Sequence, residues 1–281
     1  MKTEPIVIIG HNGKTGLRVQ QRLQQQGYAT RGVSRSTIPK FDWEQPDSWQ
    51  HTLEGASAAY VTYYPDLAVP RAQNAIRKLT RVAKAAGVEH LVILSGRGEV
   101  GAQKAEQVLI NSGLDWNVVR CSWFAQNFSE SFMLEGILAG NLALPADTVL
   151  EPFVDADDIA DVAVAALTRP DLRNQLFELS GPRALSFAEC VQMISDARGR
   201  SIQYTTVGLA EFLQELKVRG IPEEFRWLMK ELFGNVLDGR NTPTTQGIQQ
   251  VLGRSATSFE EYIEKTLASG VWNPASSRAS A

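Results

Sequence analysis

The chain has 281 residues, 43% of them hydrophobic and 21% charged, and 28 basic against 31 acidic residues leave a formal net charge of −3. That balance, with no basic run, argues against a nucleic-acid partner, and no stretch approaches the ~20 apolar residues of a membrane span. The two cysteines, Cys121 and Cys190, lie far apart and show no metal-ligand spacing, so a reducing, cytoplasmic setting without a metal is expected.

The first part of the chain alternates short apolar runs with helical patterns, which is the sequence sign of βαβ units and a parallel sheet. Strands are predicted at 6–9, 29–34, 58–62, 91–94 and 116–120. A helix over 14–26 places Gly16, Val19 and Leu23 on one face and stops at Gly27. A second, over 69–86, carries Ala72, Ile76, Leu79 and Ala83 at helical spacing and stops at Gly87; a third spans 103–111 and ends near Gly113. From Trp123 the rhythm changes. A helix over 155–167 begins with acidic residues that suit its dipole, with Asp155 and Asp158 expected to cap it. A strand follows at 175–179. Ser186 opens a helix with Glu189 at capping-box spacing, and further helices are expected over 222–233 and 258–267. The tail 273–281, rich in Ser and Ala, carries no signal for regular structure. The fold class read from this order is α/β, a Rossmann doubly wound parallel sheet with a smaller α-rich substrate-binding region. Its core is 1–122, and 123–281 forms the mostly α-rich cap, with 150–180 returning to the core.

The apolar run 6–9 leads straight into Gly10-His11-Asn12-Gly13-Lys14-Thr15-Gly16, where a helix opens. Strand before and helix after is the context a dinucleotide-binding turn requires. Gly10 allows the tight turn, Gly13 lets the backbone approach a pyrophosphate, and Gly16 lets the helix pack close to the strand. Asn12, Lys14 and Thr15 complete the loop, and the helix N–H groups face the phosphates. The plain alternative is a strand–turn–helix using glycine for its backbone freedom. The spacing G-x-x-G-x-x-G is that of short-chain dehydrogenases, and the full P-loop signature G-x-x-x-x-G-K-S/T is absent, since the position five before Gly13 is Ile8. NAD sites place an acidic residue after the second strand to hold the ribose 2′-hydroxyl. Here that strand ends Val33-Ser34-Arg35-Ser36, so Ser34 and Arg35 point to NADP, the plain alternative being a solvated arginine. Phe41-Asp42-Trp43 is expected to follow the third strand, with Asp42 against the adenine and Trp43 beside it.

With these residues, the chain resembles the NmrA-like branch of atypical short-chain dehydrogenases and, within it, the ergot alkaloid biosynthesis group of festuclavine and agroclavine synthase-type reductases. The resemblance runs over most of the chain. It is carried by Gly13–Gly16, Ser34-Arg35-Ser36, Phe41-Asp42-Trp43, Ser112-Gly113-Leu114-Asp115-Trp116, and the run from Pro152 through Asp155 and Asp158 to Ala160. Leu179 to Ser186 and, with particular specificity, Trp123-Phe124-Ala125-Gln126-Asn127-Phe128 complete it. It implies a Rossmann domain plus a small α-rich domain, with cofactor and substrate in the cleft between. The branch includes alkaloid reductases, quinone reductases and regulators that sense NADP without turnover.

Short-chain dehydrogenases use a Tyr-x-x-x-Lys pair as their proton donor, and this chain has none. The corresponding stretch reads Gly101-Ala102-Gln103-Lys104-Ala105-Glu106, and the His that relatives often carry four residues before this Glu is Ala102. That argues against sugar epimerisation and alcohol oxidation. It suits hydride delivery to an acceptor that is already electrophilic, a quinone or an iminium ion, which needs orientation more than acid. Lys104 and Ser95 remain as catalytic candidates, Lys104 being equally readable as a solvated helix lysine. Tyr63 is assigned to the cofactor, and Tyr64, Trp123, Phe124 and Asn127 to the substrate. Tyr60, Phe153, Phe225, Trp227 and Phe233 read as core. His11 is a candidate pyrophosphate contact, while His51 and His90 read as exposed. The function expected is an NADP(H)-dependent oxidoreductase, monomeric or homodimeric, acting on a small molecule; the alternative is an NADP(H)-sensing regulator with a protein partner.

Overall fold

The computed structural model describes residues 4–273; the tail 274–281 lies outside them. In chain order the elements are β1 (Ile6–Ile9), α1 (Lys14–Gln25), β2 (Thr30–Val33), α2 (Trp49–Leu53), β3 (Ala58–Val61), α3 (Ala72–Ala85), β4 (His90–Gly96), α4 (Val100–Ile110) and β5 (Asp115–Cys121). There follow α5 (Met133–Ala139), β6 (Asn141–Leu144), α6 (Ala156–Thr168), β7 (Gln175–Leu179), α7 (Phe187–Arg198), β8 (Gln203–Thr206), α8 (Leu209–Val218) and α9 (Glu223–Glu231). Last come α10 (Gly247–Leu252) and α11 (Phe259–Ser269). No helix among the described residues is long and apolar enough to cross a membrane.

The chain divides into two compact units. The first comprises residues 4–121, 156–179 and 246–254. It holds a parallel sheet in the order β2-β1-β3-β4-β5-β7, the Rossmann order with its reversal between β1 and β3. Every residue of β1 and β3 is buried, which is why these strands read as unbroken apolar runs. On one face Val7, Ile9, Ala59, Val61, Leu91 and Ile93 meet Ile76, Leu79 and Ala83 of α3 and Ala105 and Leu109 of α4. Each large aliphatic side chain so buried contributes about 1.5–3 kcal/mol. α1 buries Thr15, Gly16, Val19 and Leu23. Gly27 and Gly87, just beyond α1 and α3, hold φ of +81° and +82° and so turn the chain back into a strand. α1 and α6 are tied by charge: Arg22 bonds Asp157 at 2.8 Å and Asp161 at 2.6 Å, and Arg18 reaches Asp157 at 3.3 Å.

The second unit comprises residues 122–155, 180–245 and 255–273. An aromatic core of Phe128, Phe153, Phe187, Phe233, Phe259, Tyr262 and Trp272 holds it together, with the Trp272 indole N–H donating to the Phe128 carbonyl at 2.9 Å. Capping boxes open α7 at Ser186 with Glu189 and α11 at Ser258 with Glu261. A small parallel pair, β6 with β8, was not visible in the sequence; four residues of mixed polarity give no strand period.

Several expectations are corrected. Residues 246–254 rejoin the first unit, which the sequence reading assigned to the cap, and 150–155 belong to the second. Phe41-Asp42-Trp43 follows β2, because β3 begins only at Ala58. His90 is buried, not exposed: it opens β4 between β3 and β5, and its Nε2 lies 2.9 Å from Asn117 Oδ1. Trp227 is 37% exposed rather than core, and α9 passes at Leu232–Val236 into a π turn.

Candidate functional site

The glycine turn is built as its sequence demands. Gly10 ends β1 with φ +81°, and a Cβ there would overlap Thr62 Oγ1. A Cβ on Gly16 would overlap the Gly10 carbonyl oxygen, and the Gly13 N–H donates to that same carbonyl at 2.9 Å. The turn is therefore a cradle that requires glycine at positions 10 and 16. α1 begins at Lys14 with Gly13 as its N-cap and no side chain capping it, so the positive end of the helix is left to a ligand. A pyrophosphate fits this donor set. His11 folds back from the turn: its Nδ1 lies 3.2 Å from Gln20 Oε1, and its ring covers Gly32 of β2, where any Cβ would collide with it. Its place is between α1 and β2, bracing the turn.

The turn is joined to the end of β2 by Asn12, whose Nδ2 donates to Ser34 Oγ at 3.3 Å. Thr37 closes the loop beyond, its hydroxyl accepting from the Ser34 N–H at 2.8 Å. Next to Ser34, the Arg35 guanidinium sits 5.2 Å from the centre of the Tyr64 ring, which is 51% exposed. This cation–π contact holds a positive charge above the carboxyl end of β3. Tyr63, in contrast, is buried and lies 4.5 Å from the ring of Trp43, which packs in turn on Phe41 and Trp49. Trp43 and Tyr63 thus form a wall behind the site. Asp42 is held by the Glu44 N–H at 3.1 Å and by Lys40 at 3.3 Å; the Glu44 N–H is the first cause that keeps its carboxyl below the ordinary range.

Two residues singled out for chemistry sit otherwise. Ser95 is 4% exposed and donates at 2.5 Å to Glu106, a fully buried carboxylate that is also bound by Arg120. Arg120 continues to Glu178 at 2.8 Å, so Ser95 belongs to a chain of ions that locks α4, β4, β5 and β7. Lys104 is exposed on α4, on the side of the helix away from the buried Ala102, Ala105 and Glu106. In the second unit, Trp123 is buried edge-on to Phe187 with ring centres 5.2 Å apart, while Phe124 and Asn127 are half-buried in the turn that follows.

A carboxyl pair escaped the sequence reading. Asp66, just past β3, is half-buried and accepts from the Ala68 N–H at 2.7 Å. Glu99, the buried N-cap residue of α4, lies near enough to influence it. The Glu99 carboxyl group rests on Gly96 at the end of β4, where a Cβ would overlap it. Burial raises the Asp66 carboxyl above the ordinary range. The signal available in the sequence was position alone, an Asp three residues after Tyr63 at the carboxyl end of a strand.

Comparisons with known proteins agree with this geometry. The family model described as NAD(P)H-binding matches residues 10–170. The NAD(P)H azoreductase of Xenophilus azovorans is 28% identical, with 92% of this chain and 96% of that protein covered. Festuclavine synthase II of Penicillium roqueforti is likewise 28% identical, with 92% and 97% covered. The structure of the NADPH-dependent quinone oxidoreductase of Escherichia coli, complexed with NADPH, superposes with a TM-score of 0.77 at 18% identity, covering 93% of this chain and 99% of that one. With a glycine cradle at the helix N-terminus and a family model that spans more than half its length, the chain belongs to the NAD(P)H-binding family.

Proposed function

We propose that this protein is an NADPH-dependent reductase that delivers hydride to an electrophilic small molecule, quinone-like or iminium-like. The observation that carries the cofactor choice is Arg35, fixed over Tyr64 beside Ser34, with Val33-Ser34-Arg35-Ser36 offering no carboxylate to a ribose 2′-hydroxyl. A guanidinium at that place attracts a 2′-phosphate. Gly10, Asn12, Gly13, Lys14, Thr15 and Gly16 hold the pyrophosphate, and Ser34 and Arg35 the adenosine end. Bound NADPH supplies the hydride. The chain's own contribution is to bind, orient and exclude water, with Tyr64, expected at the substrate, instead supporting Arg35 at the adenosine end.

The engagement of Ser95 by Glu106 and the exposure of Lys104 favour one other reading, an NADP(H)-sensing regulator. Thermal shifts with NADP+, NADPH, NAD+ and NADH, followed by NADPH absorbance with a panel of quinones, separate the two. The reductase reading expects a preference for the phosphorylated cofactors and acceptor-dependent oxidation. Tight NADPH binding without oxidation by any acceptor supports the regulator, and equal response to NADH and NADPH removes the role given to Arg35.

A further inference from the structure

Within the second unit, α8 and α9 form a helical hairpin. Gly220, at φ +74°, turns the chain between them, and the Gly220 and Ile221 N–H groups return to the Lys217 and Leu216 carbonyls, each at 3.0 Å. Each helix buries one side chain, Phe212 of α8 and Leu228 of α9. Between the two helices lies a cavity of about 420 Å³, lined by Leu213 and Lys217 of α8 and by Glu223, Arg226, Trp227 and Lys230 of α9. The α9 positions fall at i, i+3, i+4 and i+7, and the α8 positions at i and i+4, so each helix presents a single stripe to the cavity.

The stripe is cationic in a chain whose net charge is −3: Lys217, Arg226 and Lys230 stand against the one acid, Glu223. Arg226 and Lys230 are four apart on α9, a spacing at which like charges weaken a helix. Among the described residues neither lysine is held in an ion pair, whereas Arg219, at the end of α8, is held by Glu135 at 2.6 Å. Arg226 Nη1 donates to the Ile221 carbonyl at 3.0 Å, which anchors the guanidinium at the hairpin turn. In the midst of these charges Trp227 is 37% exposed, a large aromatic surface that the core does not claim. An indole face for stacking and cations for pairing are together the complement of a flat anion. The cavity also falls within the roughly 300–1,000 Å³ of small-molecule sites.

We propose that the α8–α9 hairpin carries a second ligand site, for a planar aromatic monoanion of about naphthalene size bearing a carboxylate or sulfonate. Its rings lie on Trp227 and Leu213, and its charge is met by Lys217, Arg226 and Lys230. Glu223, one turn before Trp227, disfavours a second negative group at that end of the ligand. No residue assigned to the dinucleotide takes part, so the site is independent of the reductase reading.

The test is calorimetric titration of the full chain, in excess NADP+, with 2-naphthoate and with its uncharged counterpart 2-naphthamide. Naphthoate is expected to bind with a Kd of about 0.1 mM or tighter, and naphthamide about five-fold more weakly or worse. High salt should erase that difference. The double variant Lys217→Gln, Lys230→Gln is expected to raise the naphthoate Kd about ten-fold and to leave naphthamide within about two-fold. Trp227→Leu should weaken both ligands about five-fold or more. Melting curves establish that the variants are folded. In nitrogen-15 spectra of the parent, the indole N–H resonance that Trp227→Leu removes is the one expected to shift as naphthoate is added. Equal binding of the two probes, naphthoate binding that survives the substitutions, or no binding of naphthoate overturns the proposal. Binding of polyglutamate without binding of naphthoate also overturns it, in favour of an acidic protein partner.

Discussion

Arg35 and Tyr64, 29 positions apart in sequence, meet as a guanidinium resting on an aromatic face with 5.2 Å between charge and ring centre. Neither residue is fixed by its own strand. The contact pre-orders a long cationic side chain that would otherwise lose rotamer freedom when a phosphate binds. Arg35→Asp is expected to weaken NADPH binding by ~1.5–3 kcal/mol, the scale of a lost charge-assisted hydrogen bond. Tyr64→Ala, which keeps the charge and removes its support, is expected to cost ~0.5–1 kcal/mol, about two- to five-fold in Kd. Titration calorimetry with NADPH and NADH measures both; equal losses for the two cofactors would contradict the assignment.

Gly16 offers a test of the cradle that involves no charge. An alanine methyl there would be driven into the Gly10 carbonyl oxygen, which is backbone and cannot rotate away. Gly16→Ala should destabilise the fold by ~1–3 kcal/mol and abolish the cofactor-induced thermal shift. Gly55→Ala, whose Cβ would meet nothing within 4 Å but whose φ is +70°, controls for backbone strain alone and should leave the cofactor-induced shift in place.

The Ser95–Glu106–Arg120 chain gives opposite outcomes for structure and chemistry. Arg120→Met leaves Glu106 as a buried charge without its guanidinium and should cost ~3–5 kcal/mol by urea unfolding. Ser95→Ala removes one hydrogen bond to a carboxylate, ~1.5–3 kcal/mol, and turnover by the folded variant should stay within about two-fold of the parent. A loss of turnover larger than the loss of folded protein would return Ser95 to the reacting groups.

His90 sets a pH signature. Burial, the largest influence on it, holds the folded imidazole below its ordinary value near 6.5. The unfolded chain then takes up the proton first, so stability is complete above about pH 6.5 and declines as pH falls toward the folded value. The melting temperature of the parent should therefore drop more steeply between neutral and mildly acidic pH than that of His90→Gln. Parallel curves would show that His90 does not titrate in this range.

Much of the first unit was legible because parallel strands buried on both faces leave continuous apolar runs, and because α1 and α3 stop on glycines at positive φ. β7 was placed residue for residue at Gln175–Leu179. The glycine turn was legible too, since its chemistry is local: three glycines, a strand before, a helix after. What the sequence hid is set by contacts between distant positions. Nothing near Ser95 signals that Glu106 and Arg120 will claim it. The nearness of Asp66 to Glu99 appears only when β3 and β4 are brought side by side, and His90 looks like a surface residue until its strand is seen in the middle of the sheet.

The short helix α10 has a consequence for how this protein is made. Gly247 lies so close to β7 that a Cβ would overlap the Glu178 carbonyl oxygen, the Val251 carbonyl accepts from Arg169 at 2.9 Å, and Arg254 reaches Asp158 at 2.7 Å and Asp161 at 2.6 Å. The last piece of the sheet-bearing unit is thus supplied from beyond residue 245. A gene fragment stopping at residue 179 would encode every strand of that sheet and still lack the α10 cover of β7 and the Arg254 partner of Asp158 and Asp161. On the ribosome, completion of this unit has to wait until Arg254 has emerged.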